Sequence, residues 1–250
     1  MQISAMPPAR SRKHYEPPPY YRVMRLRELD GGVRDIPTGQ QQRLGFGPEA
    51  PEGPTLWVAG DVDLARTLAV AIVGSRKATP EGRRRARQLA RALAKAGVTV
   101  VSGLAEGIDT EAHRGAIEAG GRTIAVIGTP LDRAYPASNA ELQVRIYRDH
   151  LLVSQWAPGS KVFPSNFPAR NRTMAALSDA TVIVEASDTS GTLHQAAECT
   201  RLGRWLFIAR SLAENPEVTW PKRFLGKPRV AILDRVEDVL MTIQETRRCR

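Results

Sequence analysis

From Thr55 onward, short apolar runs with strand character alternate with segments of helical character. The runs are Val70–Val73, Val98–Val101, Thr123–Ile127, Leu151–Val153, Thr181–Val184, Trp205–Ile208 and Val230–Leu233. Most are apolar at every position, which is typical of strands buried on both faces of a parallel sheet. Helical segments lie mostly between them, at 80–96, 110–119, 138–149, 170–177, 192–202 and 235–246. The alternation predicts an α/β fold with a doubly wound, mostly parallel sheet and helices on both faces.

The first 54 residues have a different composition. They hold nine prolines and six glycines, at positions 7, 8, 17, 18, 19, 37, 48, 51 and 54 and at 31, 32, 39, 45, 47 and 53. This density predicts a weakly ordered arm over 1–54, in which Tyr20–Leu29 could form a short helix or strand. The remaining chain is then one domain over 55–246 and a basic tail over 247–250.

The composition excludes several classes of protein. Hydrophobic residues make up 42% of the chain, enough for a core, but no apolar run approaches the ~20 residues of a membrane helix. The first residues contain no signal-like apolar stretch, so the cytoplasm is the expected compartment. Two cysteines, Cys199 and Cys249, cannot build a disulfide framework or a Cys-rich zinc site. With four scattered histidines, neither a metal nor a cofactor is expected.

The net charge of +10 rests on 30 Arg and six Lys against 26 acidic residues. Arginine suits phosphate recognition, so nucleic acid is one explanation, and a compositional bias toward Arg is the other. On the helix at 81–96, the cations fall opposite an apolar stripe of helical spacing. That stripe is Ala86, Leu89, Ala90, Leu93 and Ala94, and the cations are Arg84, Arg87, Arg91 and Lys95. The pattern predicts a solvated helix face for this run.

Function is expected in the loops after the strands, because ligands of such sheets bind outside the carboxyl ends. The first loop places Gly74, Ser75, Arg76 and Lys77 between a strand and a helix, where backbone N–H groups favour an anion. A simple tight turn at Gly74 is the alternative. No G-x-G-x-x-G or G-x-x-x-x-G-K-[ST] run is present, which disfavours dinucleotide binding and P-loop hydrolysis.

The next loop, 102–109, holds Ser102 and Gly103, which are candidate phosphate contacts at the same edge. Ser102, Asp109 and His113 also invite a Ser-His-Asp interpretation. No G-x-S-x-G elbow supports that interpretation, so helix capping by Asp109 and local packing are favoured.

A long loop is predicted over 156–172. It mixes cations with aromatic rings, as a single-stranded nucleic-acid site requires, since cations follow phosphates and rings stack on bases. The alternative is that the rings only anchor the loop to the core. Its candidate binding residues are Lys161, Phe167, Arg170, Asn171 and Arg172, with Phe163 as a further ring.

The loop after the fifth strand contains Ser190, Gly191 and Thr192 before a helix, a second candidate anion cradle that is expected to face the first. Glu185 could contact a ribose or a backbone N–H. His194 could act as a general acid or base, although packing or surface exposure is the commoner role of a helical histidine.

Several spaced motifs resemble the DprA, or Smf, family of DNA-processing proteins. They are VAIVGSR at 70–76, SGLAEGIDTEAH at 102–113, YP at 135–136, FPARNR at 167–172 and EASDTSGTL at 185–193, preceded by GPTLWVAGD at 53–61. Their order over about 53–210 makes the resemblance specific, and it covers the Rossmann-like core only.

The resemblance implies an extended Rossmann-like domain that binds single-stranded DNA and is not an enzyme. It also implies loading of a RecA-type recombinase, by a homodimer in most cases, during DNA uptake or repair. Gly74, Ser75 and Arg76 would help to form a phosphate pocket that Ser190 and Gly191 also line. Phe167 would stack on a base, with Arg170 and Arg172 close by.

The chain departs from the family pattern in three places. His194 and Gln195 replace residues of the usual Leu-Ile-Thr-Ala run, Ser154-Gln155 replaces Ser-Glu, and SLAENPEVTWPKRF follows FIAR in place of a Pro-Gly turn. The alternative function is a nucleotide-cleaving enzyme similar to LOG-type phosphoribohydrolases, although their G-G-x-G-T-x-x-E run is absent. A nucleotide-sensing or recombinase-partner module is a third hypothesis.

Overall fold

The computed structural model of the chain describes residues 2–5, 15–34 and 53–248, with side chains for 15–34 and 53–246. Within these residues, ten strands form one sheet. They are β1 (Gln2–Ala5), β2 (Tyr20–Arg25), β3 (Thr55–Gly60), β4 (Ala69–Gly74), β5 (Thr99–Ser102), β6 (Thr123–Ile127), β7 (Leu151–Ser154), β8 (Ala180–Glu185), β9 (Trp205–Ala209) and β10 (Val230–Leu233).

The strand order is β1-β2-β3-β7-β6-β5-β4-β8-β9-β10. From β7 to β10 all neighbours are parallel, and β1, β2 and β3 extend the β7 edge in antiparallel pairs. The chain order reverses between β4 and β8, because β5, β6 and β7 lie on one side of β4 and β9 and β10 lie beyond β8. This switch point is where an open α/β sheet forms its ligand crevice.

Helices cover both faces of the sheet. They are α1 (Leu26–Asp30), α2 (Pro80–Lys95), α3 (Ile108–Glu118), α4 (Ala140–Asp149), α5 (Asn166–Ala176), α6 (Thr192–Arg201), α7 (Arg210–Ala213) and α8 (Val236–Arg248), with short 3₁₀ turns at Val62–Arg66, Ala137–Asn139 and Trp220–Arg223. None of the described helices has the length and apolar character needed to cross a bilayer.

Alternate residues of the central strands supply two of the three hydrophobic cores formed by the described residues. In β4, Ala71 and Val73 belong to the core under α5 and α6, whereas Val70 and Ile72 belong to the core under α2, α3 and α8. Apolar residues at every strand position are therefore needed, because both faces are covered. The predicted α/β fold with a doubly wound, mostly parallel sheet is confirmed.

The segment before residue 55 differs from the predicted arm. Strands β1 and β2 join the sheet, and Arg34 is buried against Asp179, with Nη2 and Oδ2 3.1 Å apart. Arg34 also donates to the carbonyl oxygens of Ala65 and Thr67. The stretch Tyr20–Leu29, which was considered as a short helix or strand, forms β2 and most of α1. Residues 35–52, which carry much of the predicted disorder, lie outside the described residues, and the domain boundary at 55 stays a prediction.

The basic face of α2 is a solvated surface, as its periodicity predicts. Ala86, Ala90 and Leu93 are buried, and the arginines on the other side form ion pairs. Those pairs are Arg84 with Glu81, Arg87 with Glu111 and Glu118, and Arg91 with Glu118. Apart from Glu111, which is buried, the partners are solvent-exposed, and such surface pairs contribute little to stability. This part of the net charge carries no information about a ligand.

His113 on α3 is fully buried, and its hydrogen bonds define its state. Nδ1 lies 2.7 Å from the hydroxyl of Thr123, whose own hydrogen goes to the carbonyl oxygen of Val100 at 2.8 Å. The imidazole is therefore neutral and carries its hydrogen on Nδ1. Burial, reinforced by His150 and Arg170, lowers the pKa of His113 to about 3. His113 thus packs the fold and takes no part in a Ser-His-Asp arrangement.

Acid should destabilise the protein through His113. Because its folded pKa lies below the ordinary value of 6.5, the unfolded chain binds more protons below that pH. The contribution is complete above pH ~6.5 and is lost as pH falls toward 3, at about 1.4 kcal/mol per pH unit. Urea unfolding between about pH 7 and about pH 5 should give a shallower pH slope for His113→Asn than for the wild type. Equal slopes would contradict this assignment.

Candidate functional site

A cleft of about 990 Å³ opens at the switch point, outside the carboxyl ends of β4, β6 and β8. The loops after β4 and β8, which the sequence predicted to face each other, form two of its walls. Helix α5 supplies a third. Ten of the fourteen predicted site residues line the cleft: Gly74, Ser75, Arg76, Lys77, Phe167, Arg170, Asn171, Ser190, Gly191 and Thr192.

Helix α5 begins at Asn166, so the predicted loop over 156–172 is too long by seven residues. Pro168 occupies the first helical turn, where a missing N–H costs nothing. Because the segment is helical, Phe167, Arg170 and Asn171 share one face and line the cleft. Arg172 lies on another face, and its Nε is 3.6 Å from Glu198 Oε1 on α6.

One half of the cleft is aromatic and cationic. The Arg76 guanidinium carbon lies 5.3 Å from the centroid of the Phe167 ring, and the Tyr135 ring lies 5.4 Å from the same ring at 49°. Gly128 lets the Phe167 ring approach the backbone, since a Cβ there would lie 2.7 Å from Phe167 Cδ1. Tyr135 and Phe163 are 51% and 55% exposed. Such rings offer flat faces to an aromatic ligand, with a cation beside them.

The other half is the N-terminus of α6. Its N-cap residue, Gly191, makes no side-chain capping bond, and Thr192 N–H is 3.2 Å from the Ser190 hydroxyl. Asn171 Nδ2 donates to the Gly191 carbonyl at 3.3 Å, which ties this turn to α5. His194, one turn into α6, is exposed and also lines the cleft. A helix of ten residues that begins at a cleft wall favours an anion there.

The corresponding N-terminus after β4 is already occupied. The Glu185 carboxylate accepts from the Thr79 N–H at 3.0 Å and from the Thr79 hydroxyl at 2.6 Å, and the Ser75 N–H donates to the Glu185 carbonyl at 2.7 Å. The Ser75 N–H is therefore not available for the predicted backbone cradle. Gly74 is needed for packing, since a Cβ would lie 2.5 Å from Ile108 Cγ1. The side chains of Arg76 and Lys77 remain exposed at the cleft.

Below the cleft, Arg170 is buried and donates from Nη1 to the Val126 carbonyl at 2.6 Å. Asp109 lies near it and accepts from the Ala105 N–H at 3.4 Å, so Asp109 does not cap α3, which Gly107 precedes. Burial raises the pKa of Asp109, and the Arg170 charge opposes that rise. Burial also lowers the pKa of Arg170, and Asp109 opposes that fall. The two charges form the floor of the cleft.

Four predicted site residues lie outside the cleft. Ser102 is buried and donates to the Ile72 carbonyl at 2.7 Å, and Gly103 lies against the Arg170 guanidinium, where a Cβ would overlap it. Both were predicted as phosphate contacts, and both instead support the floor. Arg172 faces Glu198, as described above. Lys161 is exposed on the approach to α5 and is not among the lining residues.

A family model described as DNA recombination-mediator protein A matches residues 44–244. The chain belongs to this family. Protein Smf of Synechocystis sp. is 42% identical over 169 residues, which cover 66% of this chain and 42% of that protein. DNA processing protein DprA of Streptococcus pneumoniae is 41% identical over 152 residues, covering 61% and 54%. The chain spans about half the length of these curated relatives.

The fold is also similar to a solved structure of a DprA protein. DNA processing protein A from Helicobacter pylori, which binds single-stranded DNA, superposes with a TM-score of 0.71 at 27% identity. The match covers 90% of this chain and 96% of the other. The resemblance carried by the spaced motifs is thus confirmed, and the extended Rossmann-like core is the fold of a DprA domain.

The cleft is also lined by residues outside the predicted set. Arg133 and Tyr135 line the cleft from the loop after β6, next to the cis peptide bond between Tyr135 and Pro136. The Tyr135-Pro136 pair among the family motifs was the sequence signal that could have identified these residues. An N-terminal residue holds this loop from behind, since the Tyr15 hydroxyl donates to the Leu131 carbonyl at 2.8 Å and accepts from Gln143 Nε2. Tyr15 and Leu131 are 116 residues apart in the sequence, so no local sequence pattern predicts their contact.

Proposed function

We propose that this chain binds single-stranded DNA in the cleft, as a protein that handles DNA for recombination and catalyses no reaction itself. The observation that carries the proposal is the Arg76 guanidinium 5.3 Å from the Phe167 ring, beside the exposed ring of Tyr135. The N-terminus of α6, whose helix dipole favours negative charge, lies at the same cleft beside Ser190. A base can stack on the rings while its phosphates meet the cations and the helix end.

The cleft suits a single strand better than a duplex. Bases are available for stacking only when they are unpaired, and the exposed rings of Tyr135 and Phe163 lie within the cleft rather than on a convex surface. The DprA protein of Helicobacter pylori, with the same fold, binds single-stranded DNA. Because this chain belongs to the DprA family, we assign it to the same class of DNA-processing proteins.

Nucleotide hydrolysis is not favoured by the geometry. Glu185, for which the sequence suggested a contact with a ribose or a backbone N–H, accepts hydrogen bonds from Thr79 with both of its carboxylate oxygens. It holds the start of α2 and does not line the cleft. Incubation with the common nucleoside monophosphates should release no base, and release that is abolished by Glu185→Gln would contradict the binding role.

We further propose a cytoplasmic role in loading a RecA-type recombinase, with assembly as a homodimer. These features are implied by the family, and two experiments test them. A pull-down with RecA, with and without DNA, separates a direct contact from one bridged by DNA. Sedimentation of the chain alone measures its oligomeric state.

The experiment that tests the binding role is a salt titration of affinity. A single-stranded oligothymidylate, a duplex of equal length and a mononucleotide are compared with one preparation of protein. For the single strand, log affinity should fall linearly with log salt, with a slope of about 0.7 for each phosphate contacted. Binding that is equal for duplex and single strand, or that has no salt dependence, would contradict the proposal.

A further inference from the structure

Residues 220–229, here called the basic segment, read WPKRFLGKPR and contain four cations and no carboxylate. They lie between α7 and β10, in the stretch where the sequence departs from the pattern of its family. Lys222, Arg223, Lys227 and Arg229 are all exposed. Neither the cleft nor the packing of the core accounts for this concentration of charge.

The basic segment is fixed to a wall of the cleft at its first residues. Asp188, two residues before Ser190, accepts from the backbone N–H of Trp220 at 2.7 Å and of Thr219 at 3.1 Å. The Trp220 indole is fully buried and donates to the Ala186 carbonyl at 3.2 Å. These bonds and the Arg223 charge lower the pKa of Asp188, so the carboxylate stays ionised in this position. The segment therefore starts at the same loop that presents the N-terminus of α6.

From this anchor the segment runs from the carboxyl ends of the strands back toward their amino ends, where β10 begins. The Phe224 ring packs against Trp220, with centroids 5.7 Å apart, and Lys227 Nζ lies 4.9 Å from the Phe224 centroid. Arg229 donates to the carbonyl of Gly203, which precedes β9, at 2.5 Å. Its φ of +59° is uncommon for a residue other than glycine.

Lys222, Arg223 and Lys227 differ from the cations of α2 in forming no salt bridge among the described residues, although the Arg223 charge acts on Asp188. No carboxylate in the described part of the chain lies within ion-pair distance of Lys222, Arg223 or Lys227. On α2, by contrast, Arg84 and Arg91 are paired with glutamates. Unpaired cations on a surface attract a polyanion, because no internal pair must be broken when it binds.

We infer that the basic segment is a second contact surface for the phosphate backbone of the strand that occupies the cleft. The inference rests on the proposed function and extends it. The strand leaves the cleft past Ser190 and runs along Lys222, Arg223 and Lys227 toward the amino ends of the strands of the sheet. Long single strands then gain phosphate contacts that a strand confined to the cleft cannot reach.

Two variants of equal charge test this surface. One carries Lys222→Gln, Arg223→Gln and Lys227→Gln, and its matched control carries Arg84→Gln, Arg91→Gln and Arg114→Gln on helix faces away from the cleft. All six side chains are exposed, so both variants should fold. Affinity is measured against salt for oligothymidylates of about 4 and about 20 nucleotides, which bracket the site sizes common for such domains.

For the longer strand, the basic-segment variant should lower the salt slope by about 0.7 per lost phosphate contact, or about 2 in total, and weaken binding at least about tenfold near 0.1 M salt. The control variant should change the slope by less than about 0.5, and the shorter strand should bind the wild type and the basic-segment variant equally.

The outcomes separate the two proposals. If neither oligonucleotide binds the wild type, the proposed function fails. If both bind and the basic-segment variant keeps the wild-type slope for the longer strand, the inference is overturned. The segment then serves a different partner, such as an acidic protein surface. An equal loss in the control variant would overturn it as well, since the effect would follow net charge rather than position.

Discussion

Replacement of Phe167 by alanine should weaken binding of single-stranded DNA by about 5- to 150-fold. Stacking of one base on an aromatic side chain contributes about 1–3 kcal/mol, and alanine leaves nothing to stack on. The loss is increased because Arg76 lies over the same ring and loses its support. Fluorescence anisotropy with a labelled oligothymidylate measures the change.

Two control variants accompany this measurement. Phe167→Tyr keeps a ring and should bind within about twofold of the wild type, since every base stacks on either ring. Tyr20→Ala removes a ring that is 66% exposed on β2, outside the cleft, and should have no effect. If Phe167→Ala binds as the wild type does while remaining folded, the aromatic half of the cleft is not the site for a base.

Replacement of Gly103 by alanine should lower the free energy of unfolding by about 2–4 kcal/mol, or the Tm by about 5–15 °C. The backbone at Gly103 is not in the left-handed region, so the cost comes from the overlap between the new Cβ and the Arg170 guanidinium. If Arg170 moves, the Val126 carbonyl loses its buried partner, at a cost of about 1–3 kcal/mol. Urea unfolding at neutral pH measures the change.

A double-mutant cycle identifies the cause. In an Arg170→Met background, Gly103→Ala should cost less than about 1 kcal/mol, because the clashing group is absent. Gly191→Ala is the matched control, since a Cβ there meets nothing within 4 Å, and it should cost less than about 1 kcal/mol. Additive effects of Gly103→Ala and Arg170→Met would show that Gly103 is required for a reason unrelated to the floor of the cleft.

The fold was predictable because burial on both faces requires apolar residues at every position of the central strands. Two of the observed strands, Thr123–Ile127 and Val230–Leu233, have the predicted bounds. The contribution of Tyr20–Arg25 was less accessible, since its pairing with β3 depends on tertiary contacts and prolines precede it. The composition of the flanking residues therefore did not predict that this strand would join the sheet.

The part of the site that could be predicted consists of the loops that follow the carboxyl ends of the strands. The loops at Gly74 and Ser190 meet because β4 and β8 are neighbours, which follows from the reversal of strand order. Sequence could not show that Glu185 closes the start of α2, because a carboxylate acting on a helix 106 residues earlier leaves no local signal. The start of α5 was predicted four residues too late, at 170 rather than at Asn166, because a first helical turn tolerates proline and its sequence is also compatible with a loop.

The most direct test of the central claim is photo-cross-linking of a single-stranded oligonucleotide that carries 5-iododeoxyuridine. Irradiation joins the base to an aromatic side chain against which it stacks, and mass spectrometry of tryptic peptides locates the adduct. Stacking in the cleft predicts adducts on Phe167, Tyr135 or Phe163, reduced by an excess of unlabelled single strand. Adducts confined to rings outside the cleft, such as Tyr20 or Trp57, would contradict it.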